Sequence, residues 1–194
     1  MRLILASASP RRAELLRWAG YTFDVVVASV DESIRPGESP SAYVRRLAAD
    51  KSAAVLGVAR PVIPPHQPVV LGADTTVVVD GEILGKPRDD EEAADMLRRL
   101  SGKAHQVLTG VSLRQGAHEV GRVETTTVVF SVLNDEDVAW YIASGEGRDK
   151  AGGYAIQGLA SRFIPSISGS YSNVVGLPVA CVAELLRSLL ASRL

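Results

Sequence analysis

The chain has 194 residues, 46% hydrophobic and 22% charged, a balance that suits one generous globular domain or one domain with two lobes. Lys and Arg total 21 against 22 Asp and Glu, which excludes the global basic field of a nucleic-acid binder, so positive charge has to act locally. A single cysteine, Cys181, excludes an internal disulfide and a thiolate zinc cluster, and its apolar surroundings mark it as a buried, inert thiol.

The run Leu3-Ile4-Leu5-Ala6 reads as a short buried strand that turns into a helix from about Pro10 to Ala19. Ser9 is a natural N-cap, Pro10 suits the first helical position, Leu15, Leu16 and Trp18 are expected as apolar anchors, and Gly20 is a fitting stop. Ser7, Ser9, Arg11 and Arg12 crowd this helix N-terminus, where unpaired N–H groups and the dipole favour an anion. Two guanidiniums make a polyphosphate its natural occupant; a capped surface helix with two solvated arginines is the alternative on local sequence. The apolar run after Arg2 is too short for a signal sequence, and Glu14 and Arg17 break any twin-arginine pattern. No run reaches the length of a membrane span, so a soluble, cytoplasmic protein is expected.

Phe23 to Ala28 is valine-rich and predicts a buried strand, followed by a polar loop, Asp31-Glu32-Ser33-Ile34-Arg35-Pro36-Gly37. A long helix, capped by Ser39, runs from Pro40 to about Ala59 with Val44, Leu47, Ala48, Val55 and Val58 at helical spacing. Lys51 falls one turn after Leu47, on or beside that stripe. Pro61, Pro64, Pro65 and Pro68 form a stiff connector. The strand-like run Val69 to Val79 is interrupted by Gly72 and Asp74, and Asp80-Gly81 signals a hairpin that returns through Ile83-Leu84.

Asp89 to Leu100 predicts a helix, acidic first and basic last, closed by Gly102. Two longer strands, His105 to Leu113 and Glu119 to Val132, precede a helix capped by Asn134 and running through Ala143. A Gly-rich loop from Ser144 to Gly158 and an irregular segment from Ser166 to Gly176 lead to a C-terminal helix begun by Pro178. Alternating strands and helices with hairpins predict an α/β fold, a mixed sheet flanked by helices.

Familiar chemistry is disfavoured. Gly81 to Pro87 resembles a P-loop but is one residue short between glycines and has Pro87 where a metal-binding hydroxyl belongs. There is no nucleophile elbow or zinc-helix motif, and His66, His105 and His118 lack ligand spacing, which leaves them structural or exposed. What remains is charge in costly positions. Asp74 in a valine-rich run is either a solvated strand end or a carboxylate aimed into a cleft at a strand terminus, able to bind a divalent cation or take a proton from water. Lys86 is a cation on a rigid Gly-Lys-Pro turn or an ordinary surface lysine, Asp31 and Glu32 are an acidic pair in a loop, and Lys51 snorkels or enters a pocket. Together these groups form an inventory for Mg²⁺-dependent phosphoanhydride hydrolysis.

The segments Leu5-Ala6-Ser7-Ala8-Ser9-Pro10-Arg11-Arg12, Tyr43-Val44-Arg45-Arg46-Leu47-Ala48 with Lys51, Gly72-Ala73-Asp74-Thr75 and Leu84-Gly85-Lys86-Pro87 resemble the Maf family of nucleoside triphosphate pyrophosphatases. Asp149-Lys150-Ala151-Gly152-Gly153-Tyr154-Ala155-Ile156-Gln157-Gly158 and Tyr171-Ser172-Asn173 continue the same order toward the C-terminus. The resemblance implies one elongated α/β domain over 1–194, similar to inosine triphosphate pyrophosphatases, with two lobes around a central cleft. It implies hydrolysis between the α- and β-phosphates, with Asp74 as catalytic base and metal ligand, Glu32 as a second metal carboxylate, and Ser7, Arg12, Lys51 and Lys86 holding the triphosphate. Arg11, Thr75 and Gln157 would select the substrate, and Thr75 with Gln157 resembles the dTTP/UTP branch. An amide can donate to a base carbonyl and accept from the N3–H of uracil or thymine. The resemblance also implies a divalent cation, Mg²⁺ or Mn²⁺, a homodimer, and no stable nucleic-acid or membrane partner. Modified pyrimidine nucleotides fall within the same expectation, whereas 7-methyl-GTP-type hydrolysis and a non-catalytic, nucleotide-sensing regulator of septum formation are the competing ones.

Overall fold

A computed structural model describes residues 2–27, 29–58 and 67–191. The connector residues Pro61, Pro64 and Pro65, along with His66 and Ala28, lie outside the described residues. Within them the strands form a seven-stranded sheet in the order β2-β1-β3-β5-β6-β7, with β4 paired to β3. Strand β1 (Leu3–Ala6) is parallel to β2 (Phe23–Val25) and β3 (Val69–Val79), whereas β4 (Glu82–Leu84) is antiparallel to β3 and β7 (Ser166–Ser168) is antiparallel to β6 (His118–Val129). The sheet is therefore mixed, as expected. Every residue of β1 is buried, which accounts for its unbroken apolar sequence between two parallel neighbours.

The chain divides into two compact units: Met1–Asp74, Thr109–Glu124 and Gly176–Leu194 form one, Thr75–Leu108 and Thr125–Val175 the other. The boundaries fall inside β3, β5 (Ala104–Gln115) and β6.

In the first unit, helix α1 (Pro10–Trp18) begins at Ser9, whose extended backbone fits an N-cap although its side chain makes no capping bond. Leu15 and Leu16 are buried, but Trp18 is 68% exposed, contrary to its expected anchoring role. Trp18 is the last residue of α1 and lies about 200° around the helix from Leu16, beyond the edge of the stripe formed by Arg12, Ala13, Leu15 and Leu16. Strand β2 is also shorter and more exposed than expected, with Val25 half exposed, because it lies at the sheet edge with one neighbour. Helix α2 (Pro40–Val58) is capped by Ser39, whose Oγ accepts from Ala42 N at 3.2 Å, and it buries Val44, Leu47, Ala48 and Val55. Val55 joins Ile4, Ala6 and Val70 in one core cluster, which ties α2 to β1 and β3. Helix α6 (Val179–Ala191) carries buried Cys181, whose thiol pKa is pushed up by burial, as an inert cysteine requires.

The second unit holds the hairpin at Asp80 (φ +53°) and Gly81 (φ +81°), which joins β3 to β4 as the sequence predicts. Asp89 caps α3 (Asp90–Leu100), and Asn134 with Asp137 forms a reciprocal capping box on α4 (Asp135–Ala143). The expected Gly-rich loop contains 3₁₀ turns at Ala151–Gly153 and, just beyond it, Leu159–Phe163. The segment expected to be irregular contains β7 and the short helix α5 (Tyr171–Val175). Both are illegible in the sequence because three to five residues carry too little periodicity to register. His105 is 2% exposed and packs edge-to-face against Phe130 and Tyr154.

Candidate active site

The site in the first unit is built on how closely α2 approaches the sheet. A Cβ at Gly72 of β3 would lie 2.1 Å from Ala48 O, and one at Gly110 of β5 would lie 2.1 Å from Val44 O. Only glycine allows the helix backbone to rest on these strands. Polar groups fix the register: Ser52 Oγ and Ser112 Oγ share a 2.8 Å hydrogen bond, and Arg45 Nη2 pairs with Glu119 at 2.9 Å.

Asp74 lies two residues after Gly72, hence on the same face of β3. Lys51 reaches it from α2, its Nζ donating to Asp74 Oδ1 at 2.7 Å, and the same ammonium pairs with Glu32 Oε1 at 2.7 Å. Asp74 is neither a solvated strand end nor at a strand terminus. It is 8% exposed in the middle of an uninterrupted eleven-residue strand, held there by cations that offset the cost of burying a carboxylate.

The turn from β1 into α1 brings Ser7 and Arg12 to the same region, 7% and 9% exposed. Arg12 Nη1 donates to Ala73 O at 2.9 Å and to Ser7 Oγ at 3.1 Å, while its Nε donates to Gly176 O at 2.8 Å. The arginine thereby holds together the first turn, β3 and the chain entering α6. Arg11 lies half-buried next along α1, near enough for its charge to act on Arg12.

Electrostatics follow from this crowding. Burial raises the Asp74 pKa above the ordinary aspartate value; Lys51 and Arg12 oppose that rise and Glu32 adds to it. Burial lowers the pKa of Arg12, with Asp74 opposing. The result is a carboxylate more basic than a solvated one, beside fixed cations: a pattern suited to proton abstraction from water near a polyanion.

Sequence reasoning missed the residues that hold Glu32. Tyr43 donates its hydroxyl to Glu32 O at 3.0 Å, and Arg46, one turn later on α2, donates to Ser33 O at 3.0 Å and Asp31 O at 3.4 Å. Burial and the nearby carboxylates push the Tyr43 phenol up to about 12, so it remains a donor. The signals in the sequence were the i,i+3 spacing of Tyr43 and Arg46 facing a loop rich in breakers, and their place in a segment that resembles the Maf family.

The second unit carries the other expected residues. Lys86 is exposed on the turn after β4, and Gly85 O of that turn accepts from Gly152 N at 3.0 Å. Thr75 is half-buried and, as the strand neighbour of Asp74, points to the opposite face of β3. Gln157 is exposed between buried Ile156 and the 3₁₀ turn that begins at Leu159. Among the described residues no group of three or more His, Cys, Asp or Glu could hold a metal by itself. Glu32 and Asp74 converging on one ammonium are the carboxylates available to a hard cation.

The fold as a whole is shared with the Ham1 protein of Staphylococcus aureus, at a TM-score of 0.56 and 14% identity with both chains fully covered. The chain is 51% identical over 190 residues to the dTTP/UTP pyrophosphatase of Anaeromyxobacter dehalogenans, covering 96% of this chain and 93% of that protein. It is 49% identical to the dTTP/UTP pyrophosphatase of Escherichia coli O157:H7, covering 98% and 94%, and 53% identical to that of Symbiobacterium thermophilum, covering 95% and 92%. The family described as Maf-like protein matches residues 2–189, and the chain belongs to the Maf family.

Proposed function

We propose that the protein is a nucleoside triphosphate pyrophosphatase that hydrolyses dTTP and UTP, or modified forms of them, to the nucleoside monophosphate and pyrophosphate. The buried Asp74–Lys51 pair, with Arg12 beside it, carries this reading: a basic carboxylate and fixed cations are what α-phosphorus attack requires. Asp74 accepts the proton of a water as its oxygen bonds to the α-phosphorus. The bond from the α-phosphorus to the bridging oxygen breaks, and pyrophosphate leaves. Lys51, Arg12 and Ser7 hold and neutralise phosphate oxygens, and Lys86 supplies a further cation.

Glu32 and Asp74 fit Mg²⁺ or Mn²⁺, because these ions take one or two carboxylates and complete their shell with water and substrate phosphates. When bound, such an ion would neutralise phosphate charge that the lysines alone leave uncompensated. Gln157 and Thr75 read the base, with Arg11 aiding selection; the amide of Gln157 complements the O4 and N3–H edge of uracil and thymine. A cytoplasmic homodimer without nucleic-acid or membrane partners belongs to the same proposal. The near-balance of charges supports the lack of nucleic-acid binding, and among the described residues no helix is long and apolar enough to cross a membrane.

Asp74→Asn tests the reading. Pyrophosphate release from dTTP should fall by roughly 100-fold or more while the circular dichroism spectrum is preserved. Release at the wild-type rate would overturn it. A substrate panel that favours 7-methyl-GTP would remove the roles given to Thr75 and Gln157.

A further inference from the structure

Tyr141 is fully buried at the C-terminal end of α4, yet its hydroxyl serves a segment well beyond that helix. It accepts from Ala155 N at 3.0 Å and donates to Glu146 Oε2 at 2.8 Å. Glu146 in turn accepts from Leu159 N through Oε1 at 2.9 Å and from Ala160 N through Oε2 at 3.4 Å. A Cβ on Gly158 would lie 2.0 Å from Glu146 Oε1, so the carboxylate occupies the space a side chain there would need. Ser144 closes the turn that presents Glu146, donating to Tyr141 O at 2.5 Å and accepting from Glu146 N at 3.2 Å.

These bonds fall on both sides of Gln157. Ala155 is pinned two residues before it, and Leu159 and Ala160 two and three residues after it. Charge-assisted bonds to backbone N–H groups are stronger and shorter than neutral ones. An exposed side chain on a segment held at both ends gives up little backbone freedom when it meets a ligand. We propose that Tyr141 and Glu146 are positioning residues for base selection: they hold rigid the segment that presents Gln157. This rests on the reading of Gln157 as the residue that meets the base.

The competing role for the pair is fold stability alone, and base discrimination separates the two. Cytosine lacks the N3–H and carries an amino group in place of O4, so the ratio of kcat/KM for UTP over CTP reports how well the amide is placed. Tyr141→Phe removes the hydroxyl, and Glu146→Gln turns one oxygen into an amide nitrogen facing backbone donors. Each variant should raise KM for UTP about tenfold and lower the UTP/CTP ratio about tenfold, with kcat within roughly twofold of wild type. Gln157→Ala should lower the ratio at least as far, and adding Glu146→Gln to it should produce no further loss.

Equal losses for UTP and CTP that track the melting temperature would overturn the positioning role. A ratio that falls in Gln157→Ala but not in Tyr141→Phe or Glu146→Gln would overturn it while leaving the reading of Gln157 intact. A ratio unchanged in Gln157→Ala would overturn that reading and the proposal with it. Glu146 is only partly buried, so Glu146→Gln decides the matter even if Tyr141→Phe fails to fold.

Discussion

Arg46 grips Glu38 through two parallel contacts, Nε to Oε1 at 2.6 Å and Nη2 to Oε2 at 2.7 Å, with both side chains largely buried. The pairing anchors the loop between β2 and α2. Arg46 also holds the carbonyls of Asp31 and Ser33, and Tyr43 holds the carbonyl of Glu32 between them. The guanidinium pulls the Glu38 pKa down to about 2, so the clamp is complete at neutral pH and weakens only as pH falls toward that value. Glu32 is thereby delivered to Lys51 by three consecutive fixed carbonyls.

Arg46→Lys keeps the charge but cannot form the planar fork. With Glu32 in the metal-binding role proposed for it, the Mn²⁺ concentration for half-maximal pyrophosphate release should rise about tenfold, because the loop that presents Glu32 loosens. Metal titration of the variant checks this, and a calorimetric titration with Mn²⁺ alone provides a second readout.

Lys51→Met leaves Asp74 buried with one cation fewer. Removing one partner of such a pair costs about 3 kcal/mol, and loss of a cation from the proposed phosphate site should lower kcat/KM by roughly 100-fold. Urea unfolding and steady-state kinetics on dTTP measure the two effects separately.

Gly110→Ala tests whether backbone contact sets the site. The new Cβ would meet Val44 O at 2.1 Å and force α2 away from the sheet. A cost of about 2–3 kcal/mol corresponds to a fall of roughly 5–10 °C in melting temperature for a chain of this size. Activity should fall as well, although Gly110 touches no candidate catalytic group, because α2 carries Lys51.

His105 makes the second unit sensitive to acid. Its Nε2 lies 2.7 Å from Tyr154 Oη, its Nδ1 is buried without a hydrogen-bond partner, and burial lowers its pKa from 6.5 to about 4. The unfolded chain therefore binds a proton that the folded one rejects, and stability is lost as pH falls from about 6.5 to about 4. The full effect approaches about 3 kcal/mol. His105→Phe should lower stability at neutral pH by stranding the Tyr154 hydroxyl, yet flatten the decline over that window; melting temperatures from pH 4 to 7 would show both.

The elements with strong local signals are legible in the sequence. Ser39 and Pro40, Asp80-Gly81, Asp89 and Asn134 each mark a boundary through chemistry that acts within four residues, and the structure has those boundaries. Trp18 departs from expectation because its apolar character points inward while its spacing from Leu16 and its place at the end of α1 turn it outward, and β2 because valine content does not reveal an edge position. Asp74 stands out in the sequence as an anomaly, but its place in mid-strand depends on Lys51, 23 residues earlier, and on Gly72 admitting α2. The clamp of Arg46 and the brace of Tyr141 lie beyond reach for a similar reason: each couples a carboxylate, Glu38 or Glu146, to main-chain atoms, which have no letter in the sequence.

Arg12 places a condition on the life of the chain during synthesis. Its Nε is satisfied by Gly176 O, 164 residues later, and the other bonds described for it come from Ser7 and Ala73. A ribosome that has made the first turn, α2 and the strand bearing Asp74 has made the reacting groups without the carbonyl that orients this guanidinium. Until Gly176 is in place the guanidinium lacks its Nε acceptor, so the bond that ties the first turn of the chain to the entry of α6 closes only when nearly the whole chain is present.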